Sequence, residues 1–398
     1  MTDEVKYPTV HLRQGGDRRL SGGHPWAFAN EVKMDAVAKA LEPGSLVVLC
    51  RVDGKPLAIG TFNPHALICF RALSMDPRAT LGSAWFHDRI AGAVALREKF
   101  FDSPHYRLLH AEADGLPGLV CDRFGDTVVL QSGTAGMDAL LPMVVEALNA
   151  VIEPQTILVH SDSGARRQEN LEADTRAIKG SIEQPLQIVE GELKFVSDLV
   201  SGQKTGWFFD QRFNRTFAGQ LCGGARVLDL YCYAGAFAVR AAAAGATSVT
   251  AIDRSEAALD LARQSAKLNN VEAICTFEKG EVFKAIEARG AKNQTFDVVH
   301  CDPPAFVKSK KDIKVGVRGY RKLARGAAHL VAPGGFLVLS SCSHHVDMAT
   351  LLGEAGRGID RTGRTARLVH QSGAGPDHPI HPQLPESAYL KCLVFALD

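Results

Sequence analysis

Apolar and polar positions follow two rhythms along the 398-residue chain. From about residue 8 to 80 the runs are short and alternate with a period of two, as in TVHLR, SLVVLCRVDGKPLAIGTF and ALICFRAL. Gly54 after Asp53 signals a hairpin between two such runs. A small β-sheet or barrel is predicted over 1–80. A helical period follows from Trp85 to Phe101, with Ile90, Val94 and Leu96 inward and Arg89, Arg97, Glu98 and Lys99 outward. Strands are then expected in YRLLHAEA, GLVCDRFG, TVVLQSG and TILVHS, and a helix in ALLPMVVEALNAV. This makes 81–197 an α+β middle domain. Beyond it the rhythm changes. VLDLY, SVTAID, AICTFE, FDVVHCD and PGGFLVLSSCS are apolar runs, and the first four are each followed by a helical stretch. That alternation predicts a doubly wound α/β domain over 198–398, closed by the strands ARLVHQ and YLKCLVFALD, the latter antiparallel.

The stretch RVLDLYCYAGAFAV, residues 226–239, organises this last domain. It reads as a buried strand, a turn of small residues (Ala234, Gly235, Ala236) and a helix opening at Phe237. A second strand ends about 20 residues later in Asp253, where a carboxylate can accept both hydroxyls of a ribose. A pyrophosphate turn needs three glycines and YAGAFA has one, while no Gly-Lys-Ser/Thr follows. Asp229 would repel a diphosphate but suits the sulfonium and amino group of S-adenosylmethionine. The turn therefore favours S-adenosylmethionine over a dinucleotide, and over a ligand-free Rossmann-like core.

Charge adds little at the scale of the whole chain, since 45 Lys and Arg face 44 Asp and Glu. Any nucleic-acid footprint must be local. Nine cysteines without a CxxC pair or Cys/His ligand spacing argue for a reducing cytoplasm and against disulfides or structural zinc. No metal site is expected. MTDEVKYP lacks an apolar core, and no apolar run is expected to reach membrane length.

In open α/β sheets, ligands sit outside the carboxyl ends of the strands. That rule gathers Asp229, Asp253, Glu281, Asp302 and Cys342 on one rim. CDPPAF holds Asp302 on a rigid turn, because its two prolines remove backbone donors and keep the chain extended. Cys342 ends the next strand, where a thiol meets solvent. Cys222, Cys232, Cys275 and Cys301 read as small core hydrophobes. A thiolate adding to C6 of cytosine would make C5 nucleophilic enough to take a methyl group. Asp302 could then bind N3 and N4 of the base. For removal of the C5 proton Asp302, His344, His345 and His378 remain open. The segment 307–325 carries eight Lys/Arg and one acid around Tyr320, which suits an RNA backbone. Arg13, Arg18, Arg19, His24 and Trp26 near the N-terminus suit phosphates and stacking, although Trp26 fits a core equally well. In DLVSGQKTGWFFDQRFNR, residues 198–215, polar and aromatic residues crowd before a helix, as the floor of a nucleoside pocket or as a capped helix over core phenylalanines.

Together these residues resemble the cytosine-C5 23S rRNA methyltransferases of the RlmI type. GHPWAF, DGLPGLVCDRFGD, SGQKTGWFFDQRFNR, VLDLYCYAGAF, DPPAF, SCS and the terminal DHPIHP…YLK carry the likeness across nearly the whole chain. The resemblance implies a class I methyltransferase fold behind a PUA-like RNA-binding domain, S-adenosylmethionine as cofactor, and Cys342 as nucleophile with Asp302 beside it. The cofactor set expected is Gln203, Thr205, Phe209, Asp210, Gln211, Asp229, Tyr231, Gly235, Phe237, Asp253, Arg254, Glu281, Val282 and Asp302. The RNA set is Arg18, Arg19, Trp26, Lys308, Lys310, Lys311, Arg318 and Tyr320. Two departures stand out. Ala-Gly-Ala replaces the frequent Thr-Gly-Gly, and Glu281 stands where an Asp is common. The expected partner is 23S ribosomal RNA, in the cytoplasm and away from membranes, with a homodimer left open. A guanine-N7 rRNA methyltransferase of similar architecture, with no use for the thiol, and a non-catalytic RNA-binding protein are the alternatives.

Overall fold

The computed structural model describes residues 7–162, 164–181, 185–200 and 205–398. Its packing falls into two units, one formed mainly by the N-terminal half and one mainly by the C-terminal half.

In the first unit a five-stranded sheet takes the order Thr9–His11, Ser45–Cys50, Pro56–Phe62, Ile68–Ser74, Trp26–Phe28. The hairpin expected at Gly54 is present, with φ of 84° at that glycine. A second five-stranded sheet contains His105–His110, Leu119–Phe124, Thr127–Ser132, Thr156–Ser161 and, at its edge, Asp174–Lys179. The edge strand lacks an apolar face, so periodicity did not announce it. Helices Ser83–Arg97 and Ala135–Ile152 bury Phe86, Ile90, Leu140, Val144 and Leu148 with this sheet. Contrary to expectation, Ala135–Ile152 is long and apolar enough to span a bilayer, with a mean hydropathy of 1.5. Its apolar side is committed to the core here.

In the second unit a seven-stranded sheet supports the candidate site. Its strands in chain order are β1 Arg226–Leu230, β2 Ser248–Asp253, β3 Cys275–Lys279, β4 Phe296–Cys301, β5 Val331–Ser341, β6 Ala366–Ser372 and β7 Lys391–Leu397. Its helices are α1 Arg212–Gly219, α2 Ala236–Ala243, α3 Glu256–Leu268, α4 Val282–Gly290, α5 Ile313–Leu330 and α6 Met348–Asp360. The spatial order is 3-2-1-4-5-7-6, with β1 to β5 parallel and β7 antiparallel to both neighbours. A dinucleotide fold would run 3-2-1-4-5-6. Here the antiparallel last strand is inserted between the fifth and the sixth. Helix α6 was not anticipated; its start is fixed by Asp347, whose side chain accepts from Thr350 N at 2.7 Å.

The units cut the chain differently from the expected segments. The hairpin Leu186–Glu190/Leu193–Ser197, placed by sequence in the middle domain, packs in the second unit. Val196 N donates to Ser265 Oγ at 3.1 Å, and Glu190 lies within the Arg215 guanidinium's reach at 2.9 and 2.5 Å. Thr205–Trp207 and Pro376–Ser387 pack in the first unit.

Candidate active site

The parallel strands bring their carboxyl ends to one rim in the order Glu281, Asp253, Tyr231, Asp302, Cys342. The turn after β1 is built from backbone that side chains rarely accept. Tyr231 and Tyr233 have φ of 65° and 48°. Gly235 has φ of 74° and heads α2; a Cβ there would come within 2.6 Å of the Ala262 Cβ. Glycine is therefore required, and the strain sits at the point where a cofactor would lie. Asp253 braces the turn by accepting from Tyr233 N at 3.0 Å and Ser255 N at 2.9 Å, while remaining half-buried. Glu281, the residue before α4, is exposed, as is Arg254. Burial raises the Tyr231 phenol well above its ordinary value, and Cys301, Glu281 and Asp253 add to the rise. Those three groups thus share its surroundings. An open turn around one obligatory glycine, with carboxylates on the two adjacent strand ends, fits the ribose and amino groups of S-adenosylmethionine.

Asp302 is half-buried and accepts from Gln211 Nε2 at 2.9 Å. Gln211 is held in turn by Asn214 Nδ2, 2.6 Å from its carbonyl oxygen. Asp210 accepts from the Tyr389 hydroxyl at 2.5 Å. The residues before α1 therefore do reach the rim, though as buried supports.

Cys342 follows β5 and is partly exposed. None of the nine cysteines forms a disulfide, and only Cys275 and Cys342 escape full burial. Burial lifts the Cys275 thiol to about 11 and Cys301 further still. Cys342 is bracketed by a buried hydroxyl chain. Val307 N donates to Ser343 Oγ at 3.2 Å, the Tyr320 hydroxyl is 2.8 Å from that same oxygen, and Ser341 Oγ donates to Tyr320 at 2.8 Å. The chain ties the segment following Asp302-Pro-Pro to both neighbours of Cys342. Lys391, buried at the start of β7, donates to the carbonyls of Ser343 at 2.7 Å and Tyr389 at 2.6 Å. Burial lowers its ammonium to about 8, against the opposing pull of Cys342 and Asp347. A cation in that position favours a thiolate at Cys342. Periodicity assigned Lys391 no role; its sequence signals are its place in the terminal YLK and a lysine opening an otherwise apolar strand.

Other expected site residues are placed elsewhere. Tyr320 is fully buried: helical spacing turns it to the sheet side of α5, so it supports the Cys342 loop and cannot stack on RNA. Asp229 is also fully buried, its carboxylate 2.7 Å from His300 Nδ1 and accepting from Ala238 N at 3.1 Å. It therefore holds the start of α2 rather than a sulfonium. Phe237 stacks on His300 with ring centres 3.5 Å apart, and Phe209 and Val282 are buried, so little of these side chains is exposed at the rim. Thr205 is buried in the first unit, its hydroxyl donated to Asp122. Gln203 lies outside the described residues. His378, also in the first unit, is buried 2.9 Å from Asp377, whereas His344 and His345 follow Cys342 and are exposed.

Among the expected RNA contacts, Arg18, Arg19, Lys308, Lys310, Lys311 and Arg318 are exposed. Trp26 is half-buried, its indole N–H donated to Glu112 at 2.8 Å and its ring under the Arg71 guanidinium at 5.2 Å. It serves the first unit's own packing. No cluster of metal-ligating side chains occurs among the described residues.

Comparison with known proteins agrees with this geometry. Residues 167–396 match the S-adenosylmethionine-dependent methyltransferase family, and residues 10–75 match the PUA-like domain. Relatives described as ribosomal RNA large subunit methyltransferase I include one from Pseudoalteromonas atlantica, 32% identical over 389 residues, covering 97% of this chain and 98% of that protein. Those of Aeromonas hydrophila and Klebsiella pneumoniae are each 34% identical, covering 97% and 98% of this chain and 98% of their own lengths. Among solved structures, a protein from Streptococcus mutans assigned to the SAM-dependent methyltransferases without an established activity superposes with a TM-score of 0.82 at 19% identity, over 98% of this chain and all of that one. A methyltransferase solved with S-adenosylhomocysteine gives 0.83 at 19% identity over the same shares. The seven-stranded sheet is thus a class I methyltransferase fold behind a PUA-like domain, S-adenosylmethionine is its cofactor, and the chain belongs to the ribosomal RNA large subunit methyltransferase I family.

Proposed function

We propose that this enzyme forms 5-methylcytosine in 23S rRNA, with Cys342 as the nucleophile. The observation that carries the reading is Cys342 itself: a partly exposed thiol at a strand end, framed together with the Asp302 loop and set beside a buried lysine. S-adenosylmethionine, held by Tyr231, Gly235, Asp253 and Glu281, supplies an electrophilic methyl group. The Cys342 thiolate adds to C6 of the base and pushes the C5–C6 electron pair toward C5. Asp302 holds the N3/N4 edge and steadies the adduct. C5 takes the methyl carbon as its bond to the sulfonium breaks and S-adenosylhomocysteine departs; a base then takes the C5 proton, the C5–C6 double bond re-forms, and the thiolate leaves. Asp302, His344 and His345 are the candidates for that base in the second unit.

The division into segments follows. Within the first unit residues 1–80 grip RNA through Arg18 and Arg19 and the second sheet is a supporting α+β part, while the second unit, which includes the 186–197 hairpin, performs the transfer. Lys308, Lys310 and Lys311 hold phosphates beside the base. The test uses labelled S-adenosylmethionine and unmodified 23S rRNA. Wild type should place label in 5-methylcytosine, and a transcript carrying 5-fluorocytosine should trap a covalent complex, because fluorine cannot leave as a proton does. Cys342→Ala should abolish both while binding the cofactor normally. Robust methylation by Cys342→Ala would reject the thiol mechanism and promote the guanine-N7 alternative.

A further inference from the structure

Helix α5 carries more positive charge than the rim needs. Lys314, Arg318, Lys322, Arg325 and His329 recur at four-, four-, three- and four-residue steps and so form one stripe. Midway along it a cavity of about 210 Å³ is lined by Arg318, Arg321, Lys322, Arg325 and, from beyond α6, Arg361. No carboxylate lines it. Arg321 is neutralised by Glu354 at 2.6 Å, which also takes Arg357. Arg318, Lys322, Arg325 and Arg361 have no carboxylate partner among the described residues.

This arrangement works against the helix that bears it. Like charges four residues apart, such as Lys314 with Arg318 and Arg318 with Lys322, destabilise a helix by a few tenths of a kcal/mol per pair. The fold does not need them, since α5 is anchored by Tyr320, Leu323, Ala324 and Ala327 on its other side. An anion with several oxygens would account for four converging, uncompensated cations. Lys322 and Arg325 also line an adjoining cavity of about 600 Å³ between α4 and α5, floored partly by Phe283. Lys322 Nζ stands 4.7 Å from the centre of that ring. A strand leaving the cradle thus has a space to continue into with one aromatic ring, Phe283, for a base to meet; Glu287 on its wall directs phosphates back to Lys322 and Arg325.

We propose that Arg318, Lys322, Arg325 and Arg361 form a second RNA subsite, a phosphate cradle on the outer face of α5 distinct from the rim. Arg325 lies about 18 Å along the helix axis from Ile313, at 1.5 Å per residue. The cradle would therefore hold nucleotides flanking the target, not the target itself. The proposal rests on the rRNA reading above.

The test compares wild type with Lys322→Ala/Arg325→Ala/Arg361→Ala in binding an unmodified 23S rRNA transcript across a salt series. Each lost phosphate contact should flatten the slope of log K against log salt by about 0.7 for single strands, so about 2 for the triple variant. At fixed salt its KM for RNA should rise, with kcat at saturating RNA and S-adenosylmethionine affinity unchanged. Lys194→Ala/Lys267→Ala, which removes exposed charge elsewhere, should keep the wild-type slope. If the triple variant folds poorly, Arg325→Ala and Arg361→Ala singly should each show about one-third of the change. An unchanged slope and KM would overturn the cradle while leaving the methyltransferase reading intact. Failure of wild type itself to bind the transcript would overturn both.

Discussion

Tyr320→Phe is the substitution that best separates the two roles open to this aromatic residue. By sequence it sits in a basic run and invites RNA stacking; in the fold its hydroxyl joins Ser341 and Ser343, the neighbours of Cys342. The substitution deletes two buried contacts of 2.8 Å each and leaves the ring in place. At about 0.5–1.5 kcal/mol net per hydrogen bond the range is about 1–3 kcal/mol. The serines keep some partners, since Ser341 Oγ also accepts from Ser343 N and Ser343 Oγ from Val307 N. That places the expectation near the middle, about 2 kcal/mol. For a domain of this size the melting temperature should fall by about 4–8 °C. Burial pushes the phenol above its ordinary value, so its proton is present throughout the neutral range and the loss should not vary with pH there. Turnover should fall because the Cys342 loop loosens, while the affinities for RNA and S-adenosylmethionine remain. Thermal unfolding, filter binding and single-turnover labelling on the same preparation decide it. Wild-type stability combined with weakened RNA binding would refute the reasoning and return Tyr320 to the RNA surface.

Three further outcomes follow. Glu190→Gln should cost about 3–5 kcal/mol, because it removes the carboxylate with which the buried Arg215 is paired; burial alone would raise the Glu190 carboxyl, but Arg215, with Arg212 and Arg240 beside it, holds the group below its usual 4.5. The carboxylate's contribution is therefore complete above the unfolded value and lost as pH falls through the folded one, so a wild-type-to-variant stability gap constant from about pH 6 to pH 3 in urea titrations would contradict the ion pair. Asp253→Ala should weaken S-adenosylmethionine by about 1.5–3 kcal/mol in calorimetry, with NADH binding neither form. Lys391→Met should move alkylation of Cys342 to higher pH, read by mass spectrometry of the labelled peptide, and an unmoved profile would remove Lys391 from thiolate stabilisation.

The sheet was legible because its signal is local. Each parallel strand is a short apolar run closed by a turn, and β2 matches its expected bounds, Ser248–Asp253. The rim followed from topology, since parallel strands must deliver Asp253, Asp302 and Cys342 to the same edge. Hidden from the sequence was whether a polar side chain looks outward or is consumed by the fold. Asp229 and Asp253 occupy similar positions near strand ends, yet Asp229 is closed off by His300 and the start of α2 while Asp253 stays half-buried. One-dimensional spacing cannot see His300, whose Cα partner in the ladder is 71 residues from its own position. The segment 186–197 was expected within the middle domain, with no hairpin foreseen, and it joins the second unit instead. Alternation identifies strands, but only Glu190 meeting Arg215 shows which unit they join.

The supports of Cys342 show the limit of strand-end reasoning most clearly. In an open α/β sheet a site is expected at the carboxyl ends of the parallel strands. β7 runs antiparallel to β5, with Lys391 paired to Ser341, so it is the amino end of β7 that arrives at the rim. Lys391, which begins the strand, and Tyr389, two residues before it, therefore stand beside Cys342 and Asp210. The same inversion explains how one loop can be held from three directions: by β5 through its own backbone, by α5 through Tyr320, and by β7 through Lys391. The role proposed for Cys342, forming and breaking a bond in each cycle, needs its approach fixed to a fraction of an ångström. In this fold the inserted strand, absent from the dinucleotide-binding order, supplies a cation and an anchor at the strand end where the thiol lies.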